Sequence, residues 1–133
     1  MKHLFFCLFT SVHLLPVTTA QVPASIVLSE SFIKPKILFG IASYYADKFD
    51  GRETANGEVY DHKKLTAACN VLPLGTWIRV TNILNNRSVV VRTNDRLHIK
   101  MKRLVDLSRS AAELLGYTKR GITQVKVEVL EKE

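Results

Sequence analysis

Ile122 to Leu130, near the end of the chain, sets Val125, Val127 and Val129 on one face and Gln124, Lys126 and Glu128 on the other. Strict period-two alternation of this kind predicts a strand with one buried and one wet face. Such a strand cannot stand alone, because its apolar face and both its edges need partners. The rest of the chain offers them. Ile37 to Ala46 is apolar and aromatic and reads as a strand. Trp77 to Asn82 and Arg87 to Thr93 are β-rich runs joined across Asn85-Asn86, a hairpin signal because Asn tolerates positive φ. Asp50-Gly51 and Asn56-Gly57 mark turns, and Leu104 to Leu107 is a short apolar run. One helix is expected. Ser108 can cap it, Ala111, Leu114 and Leu115 share its apolar face, and Gly116 can end it. The pattern predicts a mainly β domain with one short α-helix, closed into a barrel because closure removes exposed edges.

With 133 residues the chain has room for one domain of ordinary size. A hydrophobic content of 47% excludes disorder throughout. No apolar run reaches the ~20 residues that span a bilayer, so a membrane-spanning protein is not expected. Residues 1–20 read as a secretory signal. Lys2 and His3 give a basic start, Leu4 to Leu15 is mostly apolar and short, and Thr18-Thr19-Ala20 places small residues at a cleavage site. The alternative is a buried N-terminal strand or helix. Residues 21–36, with Pro23 and Pro35, read as a linker, and residues 37–131 as the folded domain. Cleavage after Ala20 takes Cys7 away and leaves Cys69 alone, so no intrachain disulfide is expected. Cys7 also lies too early in the apolar stretch to accept a lipid. The expectation is a soluble, monomeric protein of the periplasm or cell envelope. The formal charge of +7 loses only Lys2 with the leader. A basic exported domain suits an anionic wall polymer or membrane surface, through an attraction that salt screens. Nucleic acid is not an expected partner there. The alternative is that the charge serves solubility alone.

A set of ordered motifs narrows the reading. Gly40-Ile41-Ala42-Ser43-Tyr44-Tyr45 is followed by Thr54-Ala55-Asn56-Gly57-Glu58, by Leu65-Thr66-Ala67-Ala68, and by Leu72-Pro73-Leu74-Gly75-Thr76. Arg79-Val80-Thr81-Asn82, Val89-Val90-Val91-Arg92, Asn94-Asp95-Arg96 and Asp106-Leu107-Ser108 with Ala111-Ala112 complete it. At this spacing, residues 39–130 resemble the RlpA-like (rare lipoprotein A) proteins, a double-psi β-barrel family. The resemblance implies a six-stranded double-psi β-barrel. It implies an endolytic lytic transglycosylase that cuts peptidoglycan glycan strands, above all those stripped of stem peptides, and leaves 1,6-anhydro-muramyl ends. It also implies kinship with expansins, so a non-cleaving, expansin-like carbohydrate-binding module is the alternative. No cofactor and no metal are expected.

Lytic cleavage uses an acid to protonate the leaving oxygen and then a base to help the sugar's own 6-hydroxyl close onto C1. One carboxyl group can do both in turn if its environment lets it hold a proton near neutral pH. Asp95, at the end of a predicted strand, matches the catalytic aspartate of the family; the alternative is a turn Asp that satisfies local N–H groups. Arg96 beside it would favour the charged carboxylate if it pointed the same way. Glu58 matches a residue that supports catalysis, either on substrate hydroxyls or as a like charge beside Asp95; the alternative is a solvated loop carboxylate. Asp106 is expected to bond N–H groups at the helix start. Cys69 stands where the family usually has a catalytic or positioning histidine. Three readings stay open: an active site with Asp95, Glu58 and a weaker third partner; a binding site; or a Cys69 nucleophile with His62 or His98 as base. His62 and His98 otherwise read as surface residues. Tyr45, Tyr60, Asn94 and Arg96 are the expected substrate-binding residues, with Tyr44 a further aromatic and Trp77 assigned to core packing.

Overall fold

The computed structural model describes residues 11–19 and 34–131. Most of the expected leader, Cys7 included, and of the expected linker lies outside these residues. Residues 11–19 form no helix or strand and are exposed.

The described residues 34–131 form six strands and one helix. These are β1 (Ile37–Tyr44), β2 (Thr66–Cys69), β3 (Trp77–Asn82), β4 (Ser88–Asp95), β5 (Val105–Leu107), α1 (Arg109–Leu115) and β6 (Thr123–Val129), with a single 3₁₀ turn at Asp47–Phe49. The strands close into a barrel in the order β1-β5-β2-β4-β3-β6. β1 with β5 and β2 with β4 are parallel, and the other four pairings are antiparallel. This is the closed, mainly β fold with one helix that the alternation predicts.

The expected partners of β6 are where the pattern needs them. Val125 and Val127 are fully buried, and β6 lies between β1 and β3, with Val127 level with Leu38 and Val80. Ile78, Val80, Val91, Val105 and Leu107 fill the same interior. The hairpin between β3 and β4 turns with Asn86 at φ 59°. Buried Asn82 ties that hairpin to α1. Its amide donates to the Leu115 carbonyl at 3.0 Å, and its Oδ1 accepts from the Thr123 hydroxyl at 2.9 Å. A carbonyl that the helix end leaves unpaired is thereby satisfied. Ser108 caps α1 through Ala111 N–H, and Gly116 ends it in the left-handed conformation at φ 77°.

Three expectations need correction. Leu114 is 56% exposed; the buried arc of α1 runs from Ala111 through Leu115 to Ala112, and Leu114 falls outside it. Trp77 is 40% exposed, because Ile78 and Val80 take the inward phase of β3. Asp106 does not bond the helix start, which Ser108 serves; its carboxylate takes the Arg103 guanidinium instead, at 2.9 Å and 3.1 Å. β2 is an element the periodicity did not reveal. All four of its residues are buried, so Thr66-Ala67-Ala68-Cys69 shows no polar face.

Gly40 sits at a close approach in the barrel wall. A Cβ there would lie 2.6 Å from Leu104 Cβ. Gly40→Ala is expected to cost about 1–3 kcal/mol through overpacking. Equilibrium urea unfolding measures this, and an unchanged midpoint would show that β1 and Leu104 are not in close contact.

Candidate active site

One wall of the barrel opens into a cleft of about 870 Å³. Its geometry starts from an irregularity between β2 and β4. Ala67 pairs with Thr93, but Ala68 pairs with Asp95, so Asn94 is the extra residue of a β-bulge. The bulge tucks Asn94 inward, 2% exposed, and turns Asp95 to the cleft. On the other side of β2, Ala68 is level with Asp106 of β5. Asp95, Ala68 and Asp106 therefore lie in one row across three strands, and all three line the cleft.

Three donors fix Asp95. Its Oδ1 accepts from the N–H of Ala55 at 2.9 Å and of Arg96 at 2.8 Å. Its Oδ2 accepts from the Tyr45 hydroxyl at 2.6 Å. Tyr45 stacks on Tyr60 with centroids 4.1 Å apart and meets the edge of Phe49 at 5.8 Å. Burial, then the bond to Asp95, pushes the Tyr45 hydroxyl above its usual range, so it stays protonated and donates. Burial likewise pushes Tyr60 up to about 12. Tyr60 is buried behind Tyr45, and its hydroxyl contacts His62 Nδ1 at 2.9 Å.

The other expected site residues are placed as follows. Arg96 lines the cleft, but its Nη1 donates to the carbonyls of Cys69 and of Leu72, the latter at 2.6 Å. Its side-chain charge is thus held on the β2 side, away from a pairing with Asp95. Glu58 is not among the cleft residues. Arg92, Asn56 and Asn94 bind its carboxylate, Asn94 at 3.1 Å and Asn56 at 2.9 Å. These bonds, Arg92 and Asn94 foremost, hold the Glu58 carboxyl down at about 2. They anchor the loop whose Ala55 N–H bonds Asp95, and Asn56 N–H fastens that loop to the Asn94 carbonyl at 3.2 Å. Cys69 is also outside the cleft. It is 0% exposed and shares the inward phase of β2 with Ala67, while Ala68 takes the cleft side. A thiol in the core presents no nucleophile to the cleft, so the cysteine-nucleophile alternative is set aside. His98 lines the cleft rim, and Tyr44, which donates to the Thr118 carbonyl at 2.9 Å, lines it too. Among the described residues, no three His, Cys, Asp or Glu side chains converge on a common point.

The depressed Glu58 group has a pH consequence. Its pairing stabilises the fold above the ordinary value of 4.5 and is lost as pH falls toward about 2. The side chain is 38% exposed, so the effect is small. Thermal unfolding of the protein and of Glu58→Gln is expected to differ at pH 6 and to converge near pH 2. A gap that persists at pH 2 would count against the pairing.

Known proteins resemble this chain in sequence and in fold. Residues 38–127 match the family described as lytic transglycolase. The endolytic peptidoglycan transglycosylase RlpA of Haemophilus influenzae is 51% identical over 102 residues, which cover 77% of this chain and 34% of that protein. Its namesake in Pseudomonas aeruginosa is 49% identical over 94 residues, covering 71% and 28%. That of Rickettsia bellii is 45% identical over 97 residues, covering 71% and 43%. The chain thus spans less than half the length of these curated relatives. In structure it is similar to the Streptomyces papain inhibitor, with a TM-score of 0.59 at 21% identity over 72% of this chain and 96% of that one. It is similar to an expansin of Clavibacter michiganensis, with a TM-score of 0.59 at 20% identity over 74% and 52%. Both likenesses are of fold, and both proteins are double-psi barrels. The barrel is accordingly a double-psi β-barrel, and the chain belongs to the lytic transglycolase family.

Proposed function

We propose that this domain is an endolytic peptidoglycan transglycosylase in which Asp95 carries the proton in both steps. The observation that supports this most is the Asp95 carboxyl at the bulged end of β4, held on three sides in an open cleft. Oδ1 is taken by two N–H donors and Oδ2 by the Tyr45 hydroxyl alone, so Oδ2 has the freer lone pair for the exchanged proton. Asp95 gives that proton to the glycosidic oxygen as the C1–O bond breaks. The carboxylate then takes the proton of the 6-hydroxyl as O6 bonds to C1. The anhydro ring closes, the proton is back on Asp95, and no water is consumed. Tyr45 orients Asp95 and forms a wall for sugar rings with Phe49. Glu58 acts through the Thr54–Glu58 loop as a positioning residue. We further propose that residues 1–20 are a leader and that the domain works outside the cytoplasm on the wall polymer.

A second reading, a non-cleaving glycan-binding module, is favoured by Cys69. A thiol stands at the family's usual histidine position, and its side chain faces the core. Mass spectrometry of digested sacculi separates the two. Anhydro-ended products identify the transglycosylase, and no release with retained pelleting identifies the binder.

Asp95→Asn keeps the shape but cannot exchange a proton. It is expected to lose at least ~10²-fold in release of anhydro ends while staying folded. Undiminished release would remove Asp95 from the mechanism. Cys69→Ala is expected to keep most of the cleavage activity and to lose stability by about 1–2 kcal/mol through the small cavity left in the core. A folded but inactive Cys69→Ala protein would return the thiol to the chemistry.

A further inference from the structure

The Asp95 mechanism leaves one group of cleft charges unused. Lys48 and Arg52 both line the cleft and are exposed. Each lies against the ring of Phe49, with Lys48 Nζ and Arg52 Cζ both 5.3 Å from its centroid. The backbone imposes this. Asp47–Phe49 is a 3₁₀ turn, and Arg52 N–H bonds the Phe49 carbonyl at 3.1 Å, so the chain brings both cations to one ring. Phe49 in turn packs against Tyr45, which holds Asp95.

Among the described residues, neither cation has an ion-pair partner. The neighbouring acids are engaged elsewhere or stand apart. Asp47 pairs with Arg109 and lies 3.6 Å from His62, and Asp50 accepts from His62 N–H. Glu53, which also lines the cleft, forms no ion pair with either. The other cleft guanidiniums are occupied, Arg96 by two carbonyls and Arg103 by Asp106. Two like charges on one ring repel each other, and a bound anion relieves that repulsion.

We infer that Lys48 and Arg52 form a carboxylate-binding subsite of this cleft, one that reads the acidic groups of the glycan strand. The inference rests on the peptidoglycan reading. A strand without stem peptides carries a free lactyl carboxylate on each muramyl residue. A strand with stem peptides has that group as an amide but carries carboxylates on the peptide. The Arg52 fork and the Lys48 point charge suit either source.

Binding is measured in Asp95→Asn protein, so strands stay intact, with and without Lys48→Gln and Arg52→Gln together. The ligands are peptide-free strands, peptide-bearing strands, and peptide-free strands with carboxyl groups reduced to alcohols. The double change is expected to weaken binding of peptide-free strands about 10-fold and to leave the reduced strands unaffected. A loss confined to peptide-bearing strands keeps the subsite and assigns the carboxylate to the peptide. Equal loss on reduced strands, or no loss on either carboxylate-bearing polymer, overturns the inference. The transglycosylase reading fails separately: the unaltered protein would then release no anhydro ends, while the carboxylate-dependent difference in binding persists.

Discussion

The site depends on a single misalignment between two parallel strands. Had β2 and β4 stayed in register past Ala67 and Thr93, Ala68 would face Asn94, and Asp95 would take the opposite phase. The extra residue reverses that. Asn94 goes inward and bonds Glu58, and Asp95 comes to the cleft beside a residue with almost no side chain. Ala68 matters for its smallness. A larger residue in the middle of the row would fill the space between Asp95 and Asp106. The bulge itself is held from outside the sheet, by Asn56 N–H on the Asn94 carbonyl and by Ala55 N–H on Asp95.

That arrangement explains how a charged cluster can be rigid without being deeply buried. Arg92, Glu58, Asn94 and Asn56 are bonded in a chain, and Asn56 Oδ1 also accepts from Thr54 Oγ1 and Glu58 N–H. Each contact is modest alone, since exposed pairs contribute little. Together they leave the 54–58 loop few ways to move, and the loop N–H on Asp95 moves only with it. Behind the carboxyl, the Tyr45–Tyr60 stack does the same job with apolar contact.

How much of this the chain discloses depends on where each residue's neighbours come from. β6, the hairpin and the capped helix follow from local pattern and turn chemistry, and they were legible. β2 was not, because a strand buried on both faces loses the alternation that marks one. Asp95 was legible as a motif at a strand end. The bulge that aims it was not, because a register shift is a property of two strands 20 to 30 residues apart. The same limit applies to Cys69. Its motif position suggests the site, but strand phase sends Ala68 to the cleft and Cys69 to the core. Arg96 could be read as an obstacle to Asp95 only while the carbonyls of Cys69 and Leu72, which take its guanidinium, were out of view.

The two carboxylates flanking Ala68 also bear on the kind of cleavage. Their Cα atoms lie two strand spacings apart, roughly 10 Å. An inverting hydrolase uses two carboxyl groups, one as acid and one to activate water. Here the second is already bound. Both oxygens of Asp106 take the Arg103 fork, and that bond raises the Arg103 pKa, so the guanidinium holds its proton and its partner throughout. A carboxylate that accepts a bidentate guanidinium has both oxygens engaged and little room left to orient a water. Asp95 has no such cation, because the guanidinium of Arg96 is held by main-chain carbonyls. Of the pair, Asp95 is held by neutral donors alone and Asp106 by a guanidinium. The reaction we propose, in which a single group first gives and then recovers one proton and the sugar supplies the nucleophile, needs only one carboxyl free of a cation.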